Sequence, residues 1–181
     1  MGLGIHDPSA LNFGSGGVGT GPHLQGELLK IRTGIDMKHV AYRGAAAAQQ
    51  DILGGSIQLM FTAAPTALSF INGGELKVLA STGAVRLPIL PAVPTMIEAG
   101  IKDYVSEQWF GLLAPAKTPE PILQLLYELA TMAITDPAVA KRMTEQGGYL
   151  RPGSSKDFSR FMQAEVQSWG EIVRLAKLAA E

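Results

Sequence analysis

The sequence LNFGSGGVGTGPHLQGELLKIRT, residues 11–33, predicts a short strand, a glycine-rich loop at 14–21 and the start of an amphipathic helix. Leu24, Leu28 and Ile31 recur at helical spacing and give that helix one apolar face to bury. Glycine lets backbone N–H groups approach a ligand closely, and the N-terminus of a helix is positively polarised. The loop therefore predicts a binding site for a carboxylate, a phosphate or a similar anion.

Two other interpretations of the glycine-rich loop remain open on these residues. One is a tight strand-to-helix turn that binds no ligand, because such turns recur widely in α/β proteins. The other is a dinucleotide-binding loop, since Gly14, Gly16 and Gly19 satisfy G-x-G-x-x-G. Arg43, after the next expected strand, would then meet the 2′-phosphate of NADP, and the chain would be an NADP-linked oxidoreductase. A P-loop is excluded because no Gly-Lys-Ser/Thr follows.

The composition is that of a packed globular chain. Of the 181 residues 46% are hydrophobic and 17% are charged, which suffices for one core or two small lobes. The formal net charge is −1 without a basic block, so we expect no nucleic-acid partner. The absence of cysteine excludes disulfides, thiolate chemistry and cysteine-bound zinc. No apolar run reaches the ~18 residues of a membrane helix, and MGLGIHDPSA at 1–10 lacks the features of a signal peptide.

The first half of the chain alternates between expected strands and helices. Beyond the first helix, which Thr20 is expected to cap and Gly34 to end, four alanines in a row favour helix and paired glycines stop it. The expected strands are 37–42, 56–62 and 75–82, and the expected helices are 45–53 and 63–71. Short loops in this rhythm predict parallel strand pairing with right-handed crossovers.

The second half changes character after a proline-rich connector at 86–94. We expect a short helix at 96–100, an apolar strand at 104–114 and then three helices. These helices are expected to begin near Thr118, Asp136 and Ser154, and the first to face a core with Leu123, Leu126, Leu129 or Ala130, and Ala133. The chain is therefore expected to divide into an α/β ligand-binding lobe with its crossover connector, 11–103, and a mostly helical part, 104–181.

Three strand-to-helix corners, 14–21, 43–47 and 62–66, are expected at one edge of the first lobe's sheet. In open α/β sheets ligands bind outside the carboxyl ends of the strands. Helix N-termini with few charges around them suit an organic carboxylate held by backbone donors, with one arginine available for a charge-assisted bond. The residues expected to contact it are Ser15, Gly16, Gly19, Thr20, His23, Arg43, Gly44, Ala45 and Thr62.

Catalytic and metal sites find less support. His6, His23 and His39 lack metal-ligand spacing, and His23 on the first turn of a helix also suits a packing or capping role. A triad of Ser15, His23 and Asp51 lacks the Gly-x-Ser-x-Gly elbow because position 13 is phenylalanine. We therefore expect no catalytic residue, no bound metal and no cofactor, and a chain that is not an enzyme.

Several motifs in order resemble the receptors of tripartite tricarboxylate transporters, the Bug or TctC-like family. The similarity covers residues 7–180. The motifs are Asn12–Ser15, His23-Leu24, Val40–Gly44, Asp51–Gly55, LKVLASTGAVRLPILPAVPTMIEAGI at 76–101 and WFGLLAPAKTP at 109–119.

The resemblance implies a periplasmic, type II solute-binding fold in which two α/β lobes joined by crossing strands close on a small carboxylate. It implies membrane transporter subunits as partners. Two departures remove polar contacts to the ligand: the family's Asp-Asn is Thr62-Ala63 here, and its Gly-Ser-Gly-Pro-Ala is an alanine run after Gly44.

Family members are longer, and the first half of one of their lobes has no counterpart in this sequence. The fold class expected is therefore one largely complete α/β lobe plus the C-terminal part of a second lobe. Its apolar helix faces are expected to find another partner, which predicts self-association or a rearranged second lobe, and its affinity for ligand is expected to be weak.

Overall fold

The computed structural model describes residues 11–178. In chain order its elements are β1 (Asn12–Ser15), α1 (Gly21–Thr33), β2 (Lys38–Ala41), α2 (Ala45–Leu53), β3 (Leu59–Met60), α3 (Ala64–Asn72), α4 (Glu120–Thr135), α5 (Pro137–Glu145) and α6 (Ser155–Leu175). They belong to two compact units, which we call the sheet unit (11–108 with 168–178) and the helical unit (109–167). The expectations about a signal peptide at 1–10 and about His6 lie outside the described residues.

The sheet unit is built on three parallel strands in the order β2-β1-β3. β1 lies in the centre, where Phe13 pairs with His39 on β2 and with Leu59 on β3. α1 is the crossover between the neighbours β1 and β2, and α2 connects β2 to β3 on the other side of β1. The predicted parallel pairing is confirmed, and the carboxyl ends of the three strands meet at one edge of the sheet.

Phe13 is the centre of the core of the sheet unit. It is fully buried, as is Tyr104. The buried cluster also contains Leu28, Leu29, Met37, Phe61, Met96 and Ile172. α1 comes close to β1 because residue 26 is glycine, where a Cβ would overlap the Phe13 ring. The predicted apolar face of α1 is thus confirmed at Leu28.

The two ends of α1 differ in how well the sequence predicts them. Gly34 ends the helix in the left-handed region, with φ 70°, and its N–H donates to the Lys30 carbonyl at 2.8 Å, as expected of a C-cap. Thr20 occupies the N-cap position, but its hydroxyl does not accept from the helix. It donates instead to the Gly17 carbonyl at 2.8 Å, so its side chain closes the loop before the helix.

Two predicted strands and one predicted helix are wrong. Residues 75–82 and 104–114 form no strand, and 96–100 form turns. An isolated bridge between Ser81 and Thr95 is the only pairing that the described residues show there. β-propensity depends on a neighbouring strand with a free edge, and an apolar run alone does not provide one.

The segment after residue 103 is held by hydrogen bonds to α1 and to Thr82, and it forms no strand ladder. The Tyr104 hydroxyl donates to the Gln25 carbonyl at 2.8 Å, and Gln25 Nε2 donates to Ser106 Oγ at 3.1 Å. The Ser106 N–H donates to the Thr82 carbonyl at 2.8 Å. Because these groups are buried, each bond also removes an unsatisfied polar atom from the interior.

The proline-rich connector is irregular, as predicted, and an ion pair organises it. Arg86 Nε lies 2.8 Å from Glu98 Oε2, and its guanidinium also donates to the Pro91 carbonyl at 3.1 Å. The Thr95 N–H donates to Glu98 Oε2 at 2.8 Å, while Thr95 Oγ1 accepts from the Glu98 N–H at 3.1 Å. This reciprocal pair is a capping box, although only a turn follows it.

In the helical unit the predicted helix starts are confirmed, whereas the predicted buried face of α4 is wrong. Asp136 Oδ1 accepts from the N–H groups of Ala138 and Val139, which caps α5. α4 has no buried residue, and Leu126 and Leu129 are 38% and 53% exposed. Helical periodicity identifies an apolar face but does not identify what covers it.

The compact units do not follow the expected division between residues 103 and 104. The sheet unit extends to Gln108, and it also includes the part of α6 from Ser168 onward. The reason is that Tyr104, Ser106 and Ile172 are buried in the sheet unit. Which lobe of a two-lobed receptor each part represents stays a prediction.

Candidate functional site

The glycine-rich loop is closed on itself by hydrogen bonds to a single carbonyl, that of Gly17. This carbonyl accepts from Ser15 Oγ at 2.9 Å and from Thr20 Oγ1 at 2.8 Å. The Gly17 N–H in turn donates to Ser15 Oγ at 3.2 Å. Gly19 has φ 75°, a conformation that glycine adopts without strain. The loop therefore has a defined shape that its own hydroxyls maintain.

Two stacked histidine rings lie behind this loop. The rings of His23 and His39 are 3.8 Å apart at their centroids and within 14° of parallel. The Gly19 N–H donates to His23 Nδ1 at 3.0 Å, and His39 Nε2 lies 2.7 Å from Ser15 Oγ. His23 on α1 and His39 on β2 thus each hold one side of the loop.

The hydrogen-bond network assigns the tautomers of both rings. Ser15 has one hydroxyl proton, which it gives to the Gly17 carbonyl, so His39 Nε2 must carry the proton that joins it to Ser15 Oγ. His23 Nδ1 accepts from Gly19, so its proton is on Nε2, 3.9 Å from Glu27 Oε1. The His23 ring is therefore neutral in this arrangement, whereas the bond to Ser15 is compatible with either charge state of His39.

Electrostatics agree with neutral rings. Burial lowers the pKa of His39 to about 4, and the nearby His23 and Lys30 act in the same direction. Burial also lowers the pKa of His23, with the Glu27 carboxylate acting in the opposite direction. At neutral pH neither ring carries a charge into the interior.

The second corner lies directly against the first. The Gly44 N–H donates to the Gly16 carbonyl at 3.1 Å, and the Tyr42 N–H donates to the Ser15 carbonyl at 2.9 Å. A Cβ at position 16 would lie 3.1 Å from the backbone nitrogen of Ala45. The start of α2 is therefore in contact with the glycine-rich loop, as the sequence predicts.

Backbone N–H groups without a helical acceptor remain at this meeting point. Ala45 and Ala46 are exposed and occupy the first positions of α2, where a helix offers its N–H groups no acceptor of its own. Arg43, immediately before them, is exposed, and no ion pair joins it to another of residues 11–178. An anion placed here would meet the positive end of α2 and a guanidinium.

The third corner, 62–66, is joined to α2 by a hydrogen bond from Gln49 Nε2 to the Thr66 carbonyl at 3.3 Å, but not through Thr62. Thr62 follows β3 and is exposed, at the same edge of the sheet. Within the described part of the chain, no hydrogen bond joins it to the glycine-rich loop or to α2. Of the residues expected to contact a ligand, Ser15 and His23 are buried, so their side chains shape the loop from inside.

Three residues that the sequence-based site omitted contribute to it structurally. His39 supports Ser15, and the Tyr42 hydroxyl donates to Asp51 Oδ2 at 2.6 Å, which ties the end of β2 to α2. This bond raises the pKa of Tyr42. The parallel register, which sets His39 opposite Phe13, is the signal that would have placed His39 beside the loop.

No metal site accompanies this corner, because no three His, Asp or Glu side chains within residues 11–178 cluster suitably for an ion. A cavity of about 310 Å³ also opens in the sheet unit, with Leu28, Arg32, Asp103 and Glu171 among its lining residues. The lining contains none of the residues expected to contact the ligand. The candidate site is therefore the shallow corner between the glycine-rich loop and α2.

The sequence matches the Tripartite tricarboxylate transporter family receptor over residues 4–178. The chain belongs to this receptor family. The resemblance that the motifs indicated is thereby confirmed. Within residues 11–178 no helix has both the length and the apolar character needed to span a bilayer.

Relatives in the receptor family differ in length from one another. BugT of Bordetella pertussis is 32% identical over 167 residues, which make up 92% of this chain and 51% of BugT. The UPF0065 protein in the clcB-clcD intergenic region of Pseudomonas knackmussii is 29% identical over 158 residues, 87% of this chain and 94% of that protein. The chain thus spans about half the length of BugT.

Solved structures of receptor-family proteins share the fold. Rpa4515 of R. palustris with adipate has a TM-score of 0.89 at 30% identity, covering 97% of this chain and 59% of its own. MatC from Rhodopseudomonas palustris with bound malate has a TM-score of 0.81 at 27% identity, and the match covers 93% of this chain and 59% of MatC. The periplasmic binding protein BugD has a TM-score of 0.85 at 27% identity, and the match covers 97% of this chain and 60% of BugD. The predicted periplasmic-binding-protein fold class is confirmed, and these relatives lend no support to a dinucleotide-binding function.

Proposed function

We propose that this chain provides one side of a carboxylate-binding site in a non-catalytic, periplasmic solute receptor. The observation that carries the proposal is the contact between the glycine-rich loop and the start of α2, made by Gly16, Gly44 and Ala45. It sets polarised, exposed backbone donors beside a loop of fixed shape. The chain spans about half the length of most of its relatives, so the receptor activity of a whole protein is part of the proposal.

The direct donors to the carboxylate are the N–H groups of Ala45 and Ala46 and the Arg43 guanidinium. Gly16, Gly19 and Thr20 form the wall opposite these donors. Ser15 and His23 support that wall, because their hydrogen-bonding groups are used within the protein. Two oxygens of one carboxylate suit two successive helix N–H groups and a guanidinium, since each oxygen accepts two hydrogen bonds.

Dicarboxylates are the ligand class that the relatives favour. One structural neighbour holds adipate and another malate. A corner with two backbone donors and one arginine accounts for one carboxylate of such a molecule. The second carboxylate then extends past exposed Thr62 and away from this chain, which is why we expect weak binding to this chain alone.

Isothermal titration calorimetry of the full chain with malate, succinate and adipate tests the proposal. Gly16→Ala inserts a methyl group 3.1 Å from the Ala45 nitrogen and is expected to weaken binding about tenfold or more. Gly54→Ala is the matched control at the other end of α2, because its φ of −79° and a nearest contact of 3.4 Å tolerate a methyl group. Equal affinities for the two variants would place the ligand elsewhere.

Arg43→Gln tests the charge at the same corner. Loss of a charge-assisted bond at an exposed site is expected to weaken dicarboxylate binding about three- to tenfold and to reduce its salt dependence. A titration of NADPH fluorescence under the same conditions is expected to show no binding. Binding of NADPH in this titration, together with no heat of binding from any dicarboxylate, would contradict the receptor function itself.

The transporter subunits are the expected partners of the liganded receptor. Family membership supports this partnership, and it is tested by measuring whether malate alters the affinity of the purified full-length receptor for its transporter in detergent. Ligand-independent binding, or none, would contradict a role in delivering the solute. The periplasmic location is likewise supported by the family, and fractionation of the native cell tests it.

A further inference from the structure

The shape of the glycine-rich loop depends on one hydrogen bond that only a neutral ring can make. The Gly19 N–H donates to His23 Nδ1, and this ring is only 2% exposed. A proton added to His23 would enter at Nδ1, since Nε2 already carries one. Two N–H groups would then face each other across 3.0 Å, and the bond to Gly19 would be lost.

His39 provides a second site at which a proton can enter the stack. It adds a proton at Nδ1 and keeps its Nε2–H bond to Ser15, so its protonation leaves that contact intact. The charge, however, would lie in a ring stacked 3.8 Å from His23. Because two like charges at this distance repel, the stack cannot stay tight once both rings are protonated.

The groups that face the two rings do not cancel this effect. From α1, Glu27 Oε1 lies 3.9 Å from His23 Nε2, and Lys30 Nζ lies 3.1 Å from the same carboxylate oxygen. The lysine thus offsets part of the effect of the carboxylate nearest to the pair, and burial still lowers the pKa of His23. From β1, the apolar Phe13 ring packs on His39 with centroids 4.9 Å apart, and Ser15 supplies an uncharged hydroxyl.

We propose that the His23–His39 stack is a proton-sensitive latch that positions the glycine-rich loop when neutral and releases Gly19 when a proton enters at His23 Nδ1. His23 and His39 are positioning residues, since the hydrogen bonds they make are to Gly19 and Ser15 of the loop. The shift of both pKa values below the ordinary value agrees with a pair built to stay neutral. The further claim, that this release also weakens carboxylate binding, rests on the proposed function.

Nuclear magnetic resonance of the full chain tests the latch without any ligand. In the wild-type protein we expect the amide of Gly19 to lose at least about tenfold of its hydrogen-exchange protection between pH 7 and pH 4.5, after correction for the intrinsic rate at each pH. The ¹⁵N shift of His23 Nδ1 is expected to change from acceptor to protonated nitrogen over the same range. A Gly19 amide that keeps its protection while Nδ1 becomes protonated would overturn the proposal.

Variants that keep the hydrogen bonds but cannot take up a proton make the test specific. In His23→Asn an amide oxygen replaces the accepting Nδ1, and in His39→Gln an amide N–H replaces the donating Nε2. The double variant is expected to keep constant Gly19 protection, whereas His6→Gln serves as the control that titrates like the wild type. Equal pH dependence in the double variant and the wild type would contradict the latch. If the double variant fails to fold, the wild-type measurement alone decides.

The ligand step is measured separately by calorimetry with malate. The ratio of double-variant to wild-type affinity removes the titration of malate itself, and we expect it to rise about threefold or more from pH 7 to pH 4.5. A constant ratio with a titrating Gly19 amide would show that the loop does not bind the ligand, and would contradict the coupling to carboxylate. Absence of malate binding at every pH, with the same amide behaviour, would contradict the proposed function and leave the latch in place.

Discussion

Gly26 on α1 lies against the ring of Phe13 on β1 so closely that a methyl group on residue 26 would overlap three atoms of that ring. Phe13 is fully buried at the centre of the sheet, so it has no space into which to move. We expect Gly26→Ala to destabilise the chain by about 2–4 kcal/mol, because the methyl group forces α1 away from the sheet. Urea unfolding measures the change.

Gly170 provides the control for that substitution, since it also lies within a helix but has no atom within 4 Å of the position that an added methyl group would take. Gly170→Ala is expected to stabilise by about 0.5–1 kcal/mol through helix propensity alone. Similar free energies of unfolding for Gly26→Ala and the wild type would show that α1 does not depend on this contact.

His39 gives the stability of the chain a defined pH dependence. Its pKa falls from the ordinary 6.5 to about 4 on folding, so between these values the unfolded chain binds more protons than the folded one. The stabilisation is complete above pH 6.5 and is lost as the pH falls toward 4. After allowance for the partial solvent contact of the ring, the loss is about 1–2 kcal/mol.

His39→Gln removes this titration and keeps a donor for Ser15. Its free energy of unfolding is therefore expected to fall less than that of the wild type between pH 6.5 and pH 4, measured by urea unfolding at each pH. His6→Gln corrects for loss of a histidine elsewhere in the sequence. Parallel pH profiles for His39→Gln and the wild type would mean that His39 titrates normally in the folded chain.

The hydroxyl of Tyr104 is a buried donor whose loss should be measurable. It donates to the Gln25 carbonyl at 2.8 Å, and burial raises the pKa of this phenol well above its ordinary value. We expect Tyr104→Phe to cost about 1–2 kcal/mol, because the carbonyl loses its partner in a dry environment. Tyr127→Phe on α4 is the control, since Tyr127 is 37% exposed, and it is expected to change stability by less than about 0.5 kcal/mol. Equal losses in thermal unfolding would contradict this role of the buried bond.

α4 presents an apolar stripe at the spacing of a helix–helix contact. Ile122, Leu125, Leu129 and Met132 follow one another at intervals of three, four and three, and they are between 48% and 68% exposed. Such spacing is typical of the contact positions of paired helices. We therefore expect the chain to self-associate at micromolar concentrations through this face.

Sedimentation velocity measures the association. Leu129→Lys with Met132→Lys is expected to raise the dissociation constant at least about tenfold, since two charges would enter the contact. Gln124→Lys with Glu128→Lys adds charge to other positions of the same helix and is expected to have a smaller effect. A monomeric wild-type chain at high concentration would contradict the prediction.

Local signals predicted local structure well. Four alanines followed by Gly54 and Gly55 specify α2 at 45–53 because propensity and termination agree there, and Asp136 before a proline specifies the start of α5. The meeting of the first two corners could also be predicted, since parallel strands end at one edge. These features depend on residues close in the sequence or on a single topological rule.

Other features depend on packing that the sequence does not display. The bond between His39 and Ser15 requires the register of β2 against β1, which no local pattern specifies. Residues 75–82 have the composition of a strand, yet within the described residues their only strand-like pairing is the isolated bridge from Ser81 to Thr95. Similarly, Ser15 reads as a ligand contact in the sequence, and only its burial and its hydrogen bonds to Gly17 and His39 reveal a supporting role.

The approach of Gly16 to Ala45 is a main-chain contact, and this has a consequence for how ligand choice could change among such receptors. Substitutions at position 45 alter the side chain but leave its N–H group in place, so the proposed means of holding one carboxylate tolerates sequence drift. Under this proposal, we expect discrimination between solutes to come from the exposed side chains around the N–H group, such as Val18 and Arg43. Exchange of these rim residues between relatives is the direct route to a receptor of altered preference.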